Sequence, residues 1–177
     1  VQTLPEIDKS RIAVCGHSRL GKTALVAGAY DERFCCAFSN DSGCSGAAIS
    51  RNKKGESIED ICNTFPYWFC KNYLKYKNNE QAMSFDQHFL VSLLAPRKVY
   101  ISSAEEDIWA DPESEMLSAF AASPAFELYG KKGLVSYDRL PKQGDVFHEG
   151  NIGYHLRSGC HYFSREDWLR YFDFMKK

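Results

Sequence analysis

The sequence predicts an α/β fold in which a mainly parallel sheet is flanked by helices, and three observations predict it. Apolar runs at residues 11–15, 33–39, 97–103 and 133–140 alternate with helical patterns, the order that a parallel sheet covered on both faces requires. The first run leads through a sharp glycine turn into an Ala-rich stretch at residues 23–30, giving strand, turn and helix in succession. The composition, 44% apolar and 25% charged over 177 residues, is that of one ordinary domain with a buried core.

Taken in order, residues 1–8 read as a helix end leading to a strand. A sheet that started at the strand of residues 11–15 would leave that strand without a neighbour on one side. We therefore expect the N-terminal strands of the fold to be missing from this chain, with residues 1–177 forming the C-terminal portion of a single domain. After the second strand come Asn40, Asp41, Ser42 and Gly43, small and polar residues that suit either a ligand approach or a tight turn. Residues 50–95 break the alternation. They are rich in aromatics, carry helical patterns at 56–62, 65–77 and 86–94, and are expected to wall an open site.

The third strand delivers Glu105, Glu106, Asp107 and Trp109 to its C-terminal edge. Asp111-Pro112-Glu113 then opens a helix toward Phe120, while Pro124 and Gly130 bracket a second short one. Residues 141–160 read as a loop, with Gly144, Gly150, Gly153 and Gly159 beside His148 and His155. The last helix opens at Ser164 with a capping pattern and shows aromatics at Trp168, Tyr171 and Phe172.

Charge and cysteine usage exclude several classes of function. The net charge is −1, so no basic field attracts nucleic acid, and the basic runs at 51–54 and 131–132 read as solvated loops. No apolar run is long enough to span a membrane. The seven cysteines are an odd number without a C-x-x-C pair, which indicates neither a disulfide framework nor a zinc site.

The chemistry concentrates in Val14-Cys15-Gly16-His17-Ser18-Arg19-Leu20-Gly21-Lys22-Thr23. Gly16 to Thr23 fits the phosphate-loop pattern G-x-x-x-x-G-K-[ST]. It also nearly matches the nucleophile elbow G-x-S-x-G, with Ser18 at the tip and the second glycine one place late, at Gly21. Chain order separates the two. Ser18, Asp107 and His161 follow the nucleophile, acid, histidine order of an α/β-hydrolase, with room between them for strands and helices. A phosphate-loop enzyme wants an apolar strand ending in a magnesium-holding aspartate, and Asp41 after residues 34–38 keeps that alternative open.

With these segments in view, the sequence resembles the glucuronoyl esterases, carbohydrate esterase family 15, particularly their bacterial members. The resemblance rests on Gly16-His17-Ser18-Arg19-Leu20-Gly21-Lys22, Asp41-Ser42-Gly43-Cys44-Ser45-Gly46, Phe65-Pro66-Tyr67-Trp68-Phe69, Asp107-Ile108-Trp109-Ala110-Asp111-Pro112 and Gly153-Tyr154-His155-Leu156-Arg157 before His161. It accounts for the late glycine, because the elbow of this family reads G-x-S-R-x-G-K. It implies cleavage of the ester between 4-O-methylglucuronic acid on xylan and a lignin alcohol, with no metal or cofactor.

By that resemblance Ser18 is the nucleophile and His161 the general base. The Arg19 backbone N–H and guanidinium stabilise the oxyanion, and Lys22, Glu56 and Trp109 contact the uronic acid ring. Asp41 stands where many members carry the triad glutamate, whereas other members use the later loop, here Asp107. Asp107 is preferred, since it needs no extra reach to His161. The positions linked by a disulfide in fungal members are His17 and Tyr162 here, so no such link is expected. A secreted or periplasmic monomer acting on glucuronoxylan or lignin-carbohydrate esters is implied. A second oxyanion donor usually comes from earlier strands, which leaves open whether these 177 residues act alone. An acetylxylan or related carbohydrate esterase, a nucleotide binder and an inactive sugar-binding domain stand as alternatives.

Overall fold

Strands covered on both faces organise the molecule, which is a computed structural model describing residues 3–52 and 54–177. Residues 1 and 2 of the leading segment, and Lys53 of the first basic run, lie outside the described residues. β1 (Ala13–His17), β2 (Cys36–Asn40), β3 (Lys98–Ala104) and β5 (Ile152–Arg157) run parallel, and the short β4 (Val146–Phe147) pairs antiparallel with β5. The spatial order is β1-β2-β3-β5-β4.

Side chains two apart share a face of a strand, and here each face has its own core. Val14, Ala37, Val99, Ile101, Ile152 and Tyr154 meet α1 (Arg19–Tyr30), α3 (Gln87–Ser92) and α4 (Pro112–Glu127) through Leu25, Val91 and Phe126. Cys15, Phe38 and Tyr100 project to the other side, where Tyr171 and Phe174 of α5 (Arg165–Met175) cover them. A sheet buried on both faces reads as apolar runs rather than as alternation, which is why the first three strands are legible in the sequence.

Other expectations are corrected. The run at 133–140 is not a strand: Leu134 makes a single bridge to Ile152, and Tyr137 and Leu140 are exposed. The fourth parallel strand lies instead inside the stretch read as a loop. Every residue of β5 is buried, with His155 and Arg157 facing α5 and hydrogen-bonded to Asp167. Gly153 is needed there because a Cβ would stand 2.3 Å from the Tyr100 ring. The two short helices expected on either side of Pro124 are one helix, α4, that contains the proline. The carbonyl of Phe120 thereby loses its helical partner, at a residue 60% exposed where water can replace it.

Residues 50–95 hold α2 (Ile58–Thr64) with a Ser57/Asp60 capping box, and α3 capped by Asp86. The helix expected at 65–77 forms only turns and a 3₁₀ segment at Tyr73–Tyr76. Its aromatics pack instead as a satellite cluster, with Phe65, Trp68, Phe69, Tyr73 and Tyr76 against Ile58, Ile61 and Met83. All seven cysteines are free thiols.

The junction of β1 and α1 tolerates no side chain at its base. A Cβ on Gly16 would sit 1.9 Å from the Leu20 carbonyl oxygen, which is backbone and cannot rotate away. Gly16→Ala is expected to destabilise the protein by about 3 kcal/mol or more, measured as a drop in the midpoint of urea unfolding.

Candidate active site

Parallel strands aim their C-terminal ends at one edge of the sheet, and that edge gathers the chemistry. Ser18 is the residue between β1 and α1, with φ 56° and ψ −124°. A non-glycine residue in that region is strained and is kept there only by its surroundings. Here the Ser18 N–H donates to the Asn40 carbonyl at 2.8 Å, and its own carbonyl accepts from the Gly21 N–H at 2.9 Å. Gly21 is small because β2 crowds it: a Cβ would meet the Ser42 Cβ at 3.0 Å and the Asn40 oxygen at 3.1 Å. Leu20, the place where the usual elbow has its glycine, is exposed and needs none.

His161 follows β5 on the loop of residues 158–163. Its Nδ1 lies 2.6 Å from the Asp107 Oδ2, at the end of β3. A carboxylate at that distance accepts the Nδ1 proton and leaves Nε2 as the basic nitrogen. The hydrogen bond to Asp107 also holds the His161 imidazolium pKa above its ordinary value, against the opposing pull of desolvation. Ser18, Asp107 and His161 line one cavity of about 380 Å³, together with Lys22, Glu56 and Trp109. Asp41 lines it too, so the fold brings together seven of the eight site residues that the sequence named.

The walls show why these residue types sit there. Lys22, on the first turn of α1, donates to the Ser42 carbonyl at the end of β2. Glu56 is buried rather than solvated, and its N–H donates to the Trp109 carbonyl at 2.8 Å. Gly55 permits that approach, since a Cβ there would fall 2.3 Å from the same carbonyl. Trp109 is 57% exposed, its indole free to meet a ligand. Trp68 and Phe65, which the sequence marked within the Phe65-Pro66-Tyr67-Trp68-Phe69 motif but without a role, complete the rim.

Asp41 and Arg19 sit differently from the other site residues. The Asp41 Oδ1 accepts the Ala104 N–H at 2.8 Å and its Oδ2 accepts from Arg157 at 3.1 Å. It lies close to the pair, within 4.8 Å of donor atoms of Asp107 and His161, but makes no hydrogen bond to the imidazole. Burial and then the Glu115 carboxylate push the Asp41 pKa up, and Arg157 pulls it down. Those three residues offer the donor types of a cation site, yet the Asp41 oxygens already accept from a backbone N–H and a guanidinium, and the Asp107 Oδ2 from the imidazole N–H. The Arg19 guanidinium stands 5.3 Å from the Trp68 ring centre, over a groove beside the cavity rather than in its lining.

Two further residues had no role in the sequence reading. Glu115 is fully buried in α4 and accepts from the backbone N–H groups of Ser42 and Gly43, both at 2.9 Å, and from the Ser103 hydroxyl at 2.6 Å. Burial raises its pKa to about 6. Arg157 closes β5 beneath the histidine loop. Glu115 lies in no motif, and Arg157 only ends the Gly153-Tyr154-His155-Leu156-Arg157 motif; the partners that matter come from the ends of β2 and β3, from α5 and from the histidine loop. His148 and His155 are structural, bonded to Tyr100 and, for His155, also to Asp167.

The phosphate-loop alternative loses its geometry. α1 begins at Arg19, directly after Ser18, so Gly21, Lys22 and Thr23 lie within the helix rather than in an open anion-binding loop. Asp41 is bonded to Arg157 and Ala104 rather than held ready for magnesium.

The fold and the arrangement at its strand ends define an α/β-hydrolase. The family model for glucuronyl esterases of fungi matches residues 1–130. The chain is 45% identical over 173 residues to a carbohydrate esterase of an unknown prokaryotic organism, covering 98% of this chain and 40% of that protein. It is 32% identical over 142 residues to a 4-O-methyl-glucuronoyl methylesterase of Hypocrea jecorina, covering 76% of this chain and 30% of that one. Among solved structures, a promiscuous family 15 esterase from a marine bacterial metagenome superposes with TM-score 0.95 at 44% identity, over 99% of this chain and 44% of that chain. A glucuronoyl esterase from Solibacter usitatus gives TM-score 0.92 at 44% identity, with the same coverages of 99% and 44%. The chain belongs to the glucuronoyl esterase family, carbohydrate esterase family 15, and spans between 30% and 44% of the length of these relatives.

The hydrogen bond from His161 to Asp107 has a direct spectroscopic consequence. In an NMR titration of His161 the midpoint is expected above the ordinary imidazole value of about 6.5, and Asp107→Asn is expected to move it down.

Proposed function

We propose that the protein to which this chain belongs is a serine carboxylesterase acting on esters of glucuronic acid or its 4-O-methyl derivative, as in lignin-carbohydrate cross-links. The observation that carries this reading is the 2.6 Å contact between His161 and Asp107 in the same cavity as Ser18 at its strained turn. The names of the relatives, glucuronoyl methylesterase and carbohydrate esterase, support the substrate class.

In this reading the Ser18 hydroxyl attacks the uronoyl carbonyl while the His161 Nε2 takes its proton. The carbonyl oxygen gathers negative charge, and the Arg19 backbone N–H is the donor suited to it, because the first N–H groups of a helix have no partner within the helix. The Arg19 guanidinium reaches the oxyanion only by leaving the Trp68 face. The protonated imidazole, held by Asp107, then gives its proton to the leaving alcohol, and an acyl-enzyme on Ser18 remains. Water, activated by the same imidazole, releases the uronic acid. Asp41 supports the carboxylate side of the site and is the reserve acid.

Lys22 and Glu56 are the proposed partners of the sugar hydroxyls, and the Trp109 indole the face against which the ring packs. Membership of the family favours secretion or export to the periplasm. Among the described residues no helix is long and apolar enough to cross a membrane.

The test is turnover of benzyl or methyl glucuronate by the complete natural protein. Ser18→Ala is expected to lower kcat by at least about 10³-fold, and unchanged turnover would end the proposal. A deacetylase would instead prefer acetyl esters and tolerate Lys22→Met. The acidic limb of kcat/KM should lie above about 6.5, because His161 works neutral and its partner holds the proton on. Trp109→Ala should raise KM for the glucuronate ester by about 10-fold, equivalent to about 1.4 kcal/mol, with a smaller change in kcat.

A further inference from the structure

Arg157 ends the Gly153-Tyr154-His155-Leu156-Arg157 motif with no role attached to it, and it lies outside the cavity lining although it bonds to Asp41 there; it is the most heavily bonded side chain near the histidine. Its side chain is 1% exposed. Nη1 donates to the carbonyls of Ser158 at 2.8 Å and Cys160 at 3.2 Å, and Nη2 donates to the carbonyl of Tyr162. The residues on either side of His161 are therefore both fastened, through their carbonyls, to one guanidinium. The rest of the fork faces two carboxylates from other elements. Nε donates to the Asp167 Oδ2 on α5 at 3.1 Å, and Nη2 to the Asp41 Oδ2 after β2 at 3.1 Å. The Tyr162 ring covers the guanidinium, 4.2 Å from its carbon to the ring centre.

We propose that Arg157 is a positioning residue for the esterase reaction, holding the His161 loop in register with the ends of β2 and β3 so that the imidazole meets Ser18 and Asp107. The inference rests on the proposed role of His161 as general base. Loop carbonyls at positions one, three and five after Arg157 turn inward on a planar fork, and only a guanidinium has enough donors at fixed angles to bind all three and two carboxylates besides. The backbone cross-links at Arg157 to Glu105 and Gly159 to Glu106, 2.9 and 3.0 Å, fix the start of the loop to the β3 side. Arg157 fixes its far half, including the histidine.

The same arrangement assigns Asp41 a task that does not require contact with the imidazole. It is one of two buried carboxyl groups that accept from the fork and orient it. This explains why a carboxylate sits in the place of a triad acid while Asp107 makes the hydrogen bond. A catalytic geometry displaced by about 1 Å loses on the order of 10²-fold in rate, and a loosened histidine loop would produce that without touching the sugar-binding wall.

The experiment compares Arg157→Lys with the parent in the complete natural protein, on methyl glucuronate, with thermal melts to establish folding. Lysine keeps the charge but not the fork. The expected result is a cooperative melt, kcat lower by about 10²-fold and KM within about twofold of the parent. A folded Arg157→Lys with parental kcat overturns the inference, and so does a loss carried in KM alone. Should Arg157→Lys fail to melt cooperatively, Tyr162→Leu decides. It uncovers the guanidinium at a residue 47% exposed and so spares the core. Lower kcat at constant KM supports the clamp, and unchanged kcat overturns it. A parent without esterase activity would instead overturn the reading on which the inference rests.

Discussion

The parallel direction of β1, β2, β3 and β5 is the constraint from which the rest follows. Parallel strands place all their C-terminal ends on one edge, and here those ends deliver Ser18, Asp41, Asp107 and the loop of His161. These residues are separated by up to 143 positions in the chain (161 − 18), but in space they share one cavity wall. A rigid sheet with helices on both faces supplies the precision that such a site needs, because its side chains hang from elements rather than from free loops.

The sheet also allocates its two faces differently. The face under α1, α3 and α4 holds the larger apolar core, with its polar groups, Ser39, Ser103 and Glu115, gathered toward the strand ends. The face under α5 carries the polar alternation of β5, where His155 and Arg157 meet Asp167. Buried charge of this kind is weak support for stability, because desolvation offsets much of the attraction. Its return is geometric: Asp167, which also caps α5 through Ser164, ties the last helix to the strand that precedes His161.

Much of this was legible in the residues, for physical reasons that also explain the failures. β2 and β3 are buried on both faces and β1 is half-buried, so all three read as apolar runs, and the elbow reads from the spacing of Gly16, Ser18 and Gly21. β5 was hidden because Gly153, His155 and Arg157 occupy its α5 face, and polar residues with a glycine mimic a loop until Asp167 and Tyr100 are known to satisfy them. The run at 133–140 failed in the opposite way, with apolar residues that stay at the surface. Within the site, Ser18, Asp107, His161, Lys22, Glu56 and Trp109 were found through motifs. Glu115 and Arg157 received no role, although Arg157 ends a motif, because their importance lies in partners on other elements that no local pattern encodes.

The central claim is that Ser18 is made nucleophilic by His161. Reaction of the complete natural protein with a serine-directed fluorophosphonate, followed by peptide mass mapping, tests it without any assumption about substrate. The account predicts a single adduct on Ser18 whose rate of formation falls by about 10²-fold or more in His161→Gln. An adduct on another serine, or equal labelling rates with and without the imidazole, would contradict it.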